Sequence, residues 1–283
     1  IGAADEDAPE QPIAGDGGAP QDGNRKAAQV RGGGVDPAAR APVAAKEIKL
    51  PGVQTDIIAA GYGRLLVARI PTARQIAVID LMQQKVVKYL PLPSDDTIMA
   101  GSGDKLILIA PVEGVMQRYD LRTLTKEVTR QVPGEGQVTA AAMGHSSAGP
   151  LFLVRNARTH RATFSLLDQG SLKEVLDTSQ RGQPRGAEVH LDSNMNIRAS
   201  GDGMTFTGWR TGTSPNGIFQ FRILGRSLRS TYVHSSFGSV VPSADGKYIC
   251  SSNGVFAALP VDKENLLADP TIKTRALSVP ALH

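Results

Sequence analysis

Several stretches of this chain carry residue types that could do chemistry. Gly144-His145-Ser146-Ser147-Ala148 sets a histidine and two serines in a run of small residues, close to the Gly-x-Ser-x-Gly elbow that presents a nucleophilic serine. The elbow needs a strand before it and a helix after it. Here the fifth position is Ala148, and Gly149-Pro150 leads into another strand-like run, so the residues read as a loop. Gly61-Tyr62-Gly63 and Gly101-Ser102-Gly103 begin like dinucleotide fingerprints, but Leu66 and Leu106 stand where the third glycine would be and no helical pattern follows. They read as turns. Asp192-Ser193-Asn194-Met195-Asn196 alternates oxygen side chains as a calcium loop does, yet Ile197 and Gly203 occupy the turn-glycine and bidentate-glutamate positions. Asp192 and Asn194 read instead as an Asx-rich turn bonded to its own backbone. His145, His160, His190 and His234 are scattered, with His190 and His234 expected on strands and His145 in a loop, so nothing obliges them to converge. No catalytic, metal or cofactor residue is assigned from these patterns, and no cofactor is expected.

The composition narrows the setting. The 283 residues are 41% hydrophobic, 5% aromatic and carry a formal charge of +4. The charge is spread, and basic residues are not interleaved with aromatics as a stacking nucleic-acid surface requires, so a nucleic-acid partner is not expected. Cys250 is the single cysteine, which excludes an intrachain disulfide and a cysteine-built zinc site. No run approaches the roughly 18 apolar residues of a membrane helix, so no membrane insertion is expected. The compartment and the oligomeric state are left open.

The elements that position these residues follow from an internal repeat. Asp56–Leu81 is echoed by Asp96–Leu121: Gly61 recurs as Gly101, Gly63 as Gly103 and Asp80 as Asp120, each 40 residues on. A period of roughly 40 residues built of short alternating strands is that of propeller blades. The fold class is therefore all-β, a β-propeller of four-stranded blades. Blades are expected at about 54–92, 95–132, 137–178 and 187–234, with a partial one over 238–283. Lys85-Val86-Val87, Lys126-Glu127-Val128 and Lys173-Glu174-Val175 mark fourth strands, where edge lysines deter sheet-to-sheet pairing. Ser243-Ala244-Asp245-Gly246-Lys247-Tyr248 reads as the hairpin between the first two strands of the last blade. Lys46-Glu47-Ile48-Lys49-Leu50 repeats the fourth-strand phrase with no blade before it, so 46–50 is the expected closing strand. Residues 1–44, rich in Gly, Ala and Pro, are expected to be a disordered linker. This gives about four and a half blades of a ring of about seven, and the chain is expected to be a fragment.

The run Arg74-Gln75-Ile76-Ala77-Val78-Ile79-Asp80-Leu81, followed by Lys85-Val86-Val87-Lys88-Tyr89-Leu90, resembles a blade of the bacterial YVTN-type and WD-repeat-like propellers. The resemblance covers roughly residues 46–260. It implies a propeller region of a large multidomain protein, in some relatives one joined to a Ser/Thr kinase. It carries over no catalytic residue. Trp209 is followed by Arg210, so the Trp-Asp pair of true WD repeats is absent.

The expected function is a non-catalytic module for protein binding or sensing within a larger bacterial protein. Its recognition surface is expected on the longest inserts, Gly144–Pro150, Thr178–Val189 and Arg210–Gly217, through His145, Ser146, Arg181, Arg185, Arg210 and Asn216. A propeller-type lactonase or hydrolase whose site needs further blades is the alternative, and a structural spacer is another.

Overall fold

Leu, Val, Ile and Ala fill Leu65–Ile70 and Lys105–Ala110 almost without interruption. Such runs suit strands buried on both faces, and four residues of the second run, Leu106 to Ile109, are fully buried. The outermost strands, such as Thr125–Gln131, are mostly exposed. That gradient from apolar centre to polar rim is what stacked, radially arranged sheets require.

The chain divides into two units, Ile1–Ala45 and Lys46–His283. The computed structural model describes residues 46–156, 162–177, 195–212, 214–224 and 227–258. The expected linker over 1–44 lies outside them.

The described residues form an all-β propeller. Blade 1 is β1 (Asp56–Ala60), β2 (Leu65–Ile70), β3 (Gln75–Asp80) and β4 (Lys85–Pro91); blade 2 is β5 (Ile98–Gly101), β6 (Lys105–Ala110), β7 (Val115–Asp120) and β8 (Thr125–Gln131). Blade 3 is β9 (Gln137–Ala142), β10 (Leu151–Asn156), β11 (Ala162–Leu167) and β12 (Glu174–Asp177). Blade 4 is β13 (Met195–Ala199), β14 (Thr205–Arg210), β15 (Ile218–Leu224) and β16 (Ser227–Val233). Blade 5 has β17 (Val240–Pro242), β18 (Tyr248–Ser251) and β19 (Gly254–Ala257). Each sheet is an antiparallel meander in sequence order. Its first strand faces the channel, and apolar clusters fill the space between successive blades. Phe152, Phe206 and Phe221 stack between blades 3 and 4 with centroids 4.7 and 5.2 Å apart.

Lys46–Leu50 carries no strand pairing among the described residues. Ile48 and Leu50 instead pack on the face of blade 1 that carries Ala68, Ile70 and Ala77. The blade that such a closing strand would complete lies outside the described residues. His234, expected on a strand, lies just beyond the end of β16.

The recurrent aspartate has a structural role. Asp80 Oδ1 accepts the backbone N–H groups of Met82 and Gln83 at 2.9 and 3.0 Å, and its Oδ2 takes the Arg64 guanidinium. Asp120 accepts Arg122 and Thr123 N–H at 2.9 and 3.0 Å and Lys105 Nζ at 2.9 Å. Asp168 takes Ser171 N–H and hydroxyl at 2.6 and 2.7 Å. Each aspartate is preceded by a β-bulge and followed four residues on by a left-handed residue: Gln84, Leu124 and Leu172, with φ of 50°, 53° and 55°. The side chain satisfies turn N–H groups that the bulged ladder leaves without partners.

The Arg64 hydrogen bond, then the turn N–H groups, hold the Asp80 carboxyl at about 2 against the opposing effect of burial. The Lys105 hydrogen bond and the Thr123 N–H lower that of Asp120, and Ser171 lowers that of Asp168. A depressed folded-state pKa adds stability that is fully present above the unfolded value near 3.9 and is lost as pH falls through the folded value. Thermal stability should therefore fall between about pH 4 and pH 2, and Asp80→Asn should flatten that slope in melts across the range. Asp120→Ala, which strands two N–H groups and removes one of the two acidic partners of Lys105, should cost about 1–3 kcal/mol in urea unfolding at neutral pH.

Candidate functional site

The two ends of the channel are built differently. At one end the hairpins joining first to second strands meet. Each donates a backbone N–H to the next: Gly61 to Ser102 O at 2.8 Å, Gly103 to Ser147 O at 3.0 Å, Ser146 to Gly201 O at 2.9 Å and Asp202 to Ala244 O at 3.2 Å. Tyr62 N–H crosses the ring to His145 O at 2.9 Å. The insert Gly144–Pro150 thus bonds to blades 1, 2 and 4, and it laces this end of the described blades together. Gly144 is buried here because nothing larger fits. A Cβ would lie 2.3 Å from Gly203 N and 2.7 Å from Gly201 O. Ser146 Oγ meets its neighbour's His145 Nδ1 at 2.8 Å, with His145 half-buried and Ser146 exposed.

The hairpins share a sequence device. In Ser243-Ala244-Asp245-Gly246, Asp245 accepts Ser243 Oγ at 2.7 Å and Lys247 N–H at 3.1 Å, and Gly246 has φ 67°. The Ser243 hydrogen bond holds the Asp245 carboxyl at about 2. Ser200-Gly201-Asp202-Gly203 builds the same turn in blade 4, with Met204 N–H on Asp202 at 3.0 Å.

At the opposite end, where the first strands begin, the channel opens into a cavity of about 560 Å³. Its wall is polar and comes from blades 1 to 4: Asp56, Arg69, Asp95, Asp96, Gln137, Asn156, Asn196 and Arg198. Arg69 is fixed by Nε to Thr55 Oγ1 at 2.9 Å and Nη1 to Thr97 O at 2.7 Å. Buried Thr97 in turn caps the Ser94 turn, and Ser94 Oγ donates to Asp96 at 2.6 Å. Arg198 Nη2 reaches across the channel to Asp56 Oδ1 at 2.6 Å, and its guanidinium lies 5.9 Å from the Trp209 ring centroid. Below the mouth is a second cavity of about 350 Å³ with an apolar wall that includes Ile57, Ile58, Met143, Val241 and Pro242. A site of this kind offers hydrogen-bond donors and acceptors of both signs on rigid strand ends. It suits recognition of a polar guest.

The residues expected to form one recognition surface are divided between the two ends. His145 and Ser146 belong to the laced end. Arg210 and Asn216 lie at the strand ends on the mouth side, Arg210 being paired with Met195 in the ladder. Arg210 Nη2 bonds Tyr232 Oη at 3.2 Å and its guanidinium packs over Phe219 at 5.5 Å. Asn216 Nδ2 donates to Gly238 O at 2.8 Å and its Oδ1 accepts Phe237 N–H at 3.1 Å, tying blade 4 to the approach to blade 5. His234 pairs with Tyr232 Oη at 2.8 Å, far in the architecture from His145. Arg181, Arg185, His160, His190, Asp192 and Asn194 lie outside the described residues. Asp56, Arg69, Asp96 and Arg198 are absent from the sequence-based assignment. A signal for two of them was present: Asp56 and Asp96 open the two copies of the repeat, at the start of β1 and in the turn just before β5.

No protein-family model matches the sequence, and no curated protein matches it. Solved structures do share its shape. A functionally unknown protein from Desulfotomaculum acetoxidans superposes with a TM-score of 0.52 at 16% identity, over 78% of this chain and 74% of that one. U3-55K superposes with a TM-score of 0.52 at 11% identity, over 74% and 61% of the two chains. The WD40 repeats of RRP9 superpose with a TM-score of 0.51 at 11% identity, over 76% and 62%. The fold is a WD40-like β-propeller. The match spans under two thirds of the U3-55K and RRP9 chains. At these identities the likeness concerns the fold alone.

Gly144→Ala should destabilise the WD40-like propeller by about 1–3 kcal/mol, the usual cost of overpacking against atoms that cannot move aside. Gly170→Ala, whose added Cβ would meet only Asp168 Oδ1 at 3.4 Å, should cost much less. Urea midpoints of the two variants measure the difference.

Proposed function

We propose that this chain is a non-catalytic propeller module that binds a protein partner at the open mouth of its channel, as part of a larger protein. The observation that carries this reading is the asymmetry of the channel. The mouth exposes a polar cavity of about 560 Å³ with contributions from four blades. The other end is laced together by backbone hydrogen bonds through Gly144–Pro150. A cavity of this size, with polar groups fixed on a rigid frame, is the usual form of a recognition site. The WD40-like fold supports the reading, since rigid propellers present loops and strand ends to partners at their channel openings. Recognition moves with it from the insert at His145 and Ser146 to the strand ends around Asp56, Asp95 and Asp96.

Photo-crosslinking amino acids placed at Asp96, on the mouth, and at Ser146, on the laced end, test this in the cells that make the protein. Adducts to another polypeptide should form from position 96 and not from 146. Asp95→Lys should weaken capture about tenfold, which is what one lost charge-assisted contact of roughly 1.5 kcal/mol brings. Adducts from position 146 alone would sink the assignment.

A further inference from the structure

Blade 5 is one strand short among the described residues. In blades 1 to 4 the third strand is paired on both sides, but β19 meets only β18. The parity of that hairpin shows which groups are left over. Ala258 N–H donates to Lys247 O at 2.7 Å, so the even-numbered residues of β19 bond inward to β18. The N–H and C=O groups of Val255 and Ala257 therefore point to the open edge. Such an edge is a template for any free strand.

The outer segments of other blades show what fits it. Leu90 and Leu92, just before Pro93, are buried between blades 1 and 2. Ile48 and Leu50, just before Pro51, pack on the opposite face of blade 1. Two large aliphatic residues separated by one position and followed by proline occur at one further place in the chain, Leu277-Ser278-Val279-Pro280. In blade 2, Val132 before Pro133 keeps the second aliphatic residue of the pair. The backbone of these segments repeats too. Leu92 N–H donates to Arg74 O at 3.1 Å and Val132 N–H to Gly114 O at 2.8 Å, and each acceptor immediately precedes a third strand.

We propose that the open edge of β19 is the docking site of this chain's own residues 271–279, which add to it antiparallel as the fourth strand of blade 5. In blade 1, Ile76 stands opposite Leu90 and Val78 opposite Lys88. The same register sets Val255 opposite Leu277 and Ala257 opposite Arg275, and it brings Val279 N–H to Asn253 O. Arg275 then falls at the place of Lys88, a basic residue on the outermost strand in both blades. The two faces of blade 5 agree with this register. Phe256 turns toward blade 4 with Val240 and Ile249, so Val255 faces the other way. Leu277 and Val279 join Val255 on the face turned from blade 4, just as Leu90 and Leu92 leave blade 1 on the side of the blade that follows. A slip of one residue would reverse this. Reach is ample. The 13 residues from 258 to 270 exceed the four, 81 to 84, that join β3 to β4, and neighbouring strands lie only about 4.8 Å apart.

Cysteine pairing reads the register. Cys250, the exposed native thiol, is first replaced by serine. Ala257→Cys with Arg275→Cys should then close an intrachain disulfide under mild oxidation, because residues directly opposed on paired strands lie within the Cα separation that a disulfide spans. Ala257→Cys with Ala276→Cys, whose side chains would leave opposite faces, should oxidise about tenfold more slowly or not at all. Hydrogen exchange gives a reading on the unsubstituted chain. The Val255 and Ala257 amides should exchange about tenfold more slowly than in a chain ending at Pro270, where they stand on a bare edge. A disulfide that joins two chains, seen as a dimer on a non-reducing gel, would give the edge to a second copy and overturn the proposal. Equal oxidation of the two pairs would overturn it, as would Val255 and Ala257 amides that exchange alike in the full and shortened chains.

Discussion

A relay of backbone hydrogen bonds at one end of the channel holds the rest in place. The hairpins after β1, β5, β9 and β13 each donate to the next hairpin, and Tyr62 N–H ties the first blade to the third. At some points of the relay the chains approach so closely that a side chain would not fit. This explains Gly101, where a Cβ would fall 2.7 Å from Ala60 Cβ. Each bond contributes about 0.5–1.5 kcal/mol net, but the geometric effect is larger than the sum suggests. The relay fixes the distance between neighbouring first strands. That distance sets how deeply the apolar faces of successive blades interlock, and it sets the width of the channel.

The outer part of each blade is governed by a separate device. The bulge, the aspartate and the left-handed residue recur in blades 1, 2 and 3, and the aspartates are clamped by whatever base the adjoining strand offers: Arg64 in one blade, Lys105 in the next. Blade 2 adds Glu127, which takes Lys105 at 2.7 Å and Arg118 at 2.6 Å, and Arg118 runs on to carbonyls of the turn in blade 3. Blade 3 uses buried Arg155, bonded to Ser165, Glu174 and Pro133 O. Charge on this protein's rim therefore serves turn geometry and blade-to-blade contact. That fits its even spread along the sequence.

These two devices explain what could be read from the sequence. The 40-residue echo was visible because its fixed points are residues that the relay and the turns require: Gly61 with Gly101, and Asp80 with Asp120. Strand positions followed, since a gradient from apolar to charged along each meander is written locally. The Ser-x-Asp-Gly hairpin at Ser243 was legible for the same reason, and Ser200-Gly201-Asp202-Gly203 repeats it in a blade too degenerate to align. The channel was not legible. Asp56 and Arg198 are 142 positions apart and become partners only when the ring curves. Nor were the long-range backbone bonds of Gly144–Pro150. Its irregular, polar text is that of a free surface loop, and nothing local reveals that its N–H and C=O groups are taken by three other blades.

The placement of that insert bears on how such a scaffold can acquire a function. Irregular sequence marks two opposite situations, a loop without constraints and a loop constrained by distant backbone. Gly144–Pro150 is of the second kind, and its glycine cannot be varied without disturbing the relay. The mouth is the reverse case. Asp95 can change with little effect on packing, because the framework of its loop is carried by Thr97, Ser94, Asp96 and the Arg69 bond to Thr97 O. A rigid frame with its specificity residues outside its own bonding network can exchange one partner for another at small cost in stability. The laced end supplies the rigidity, and it leaves the mouth free to differ.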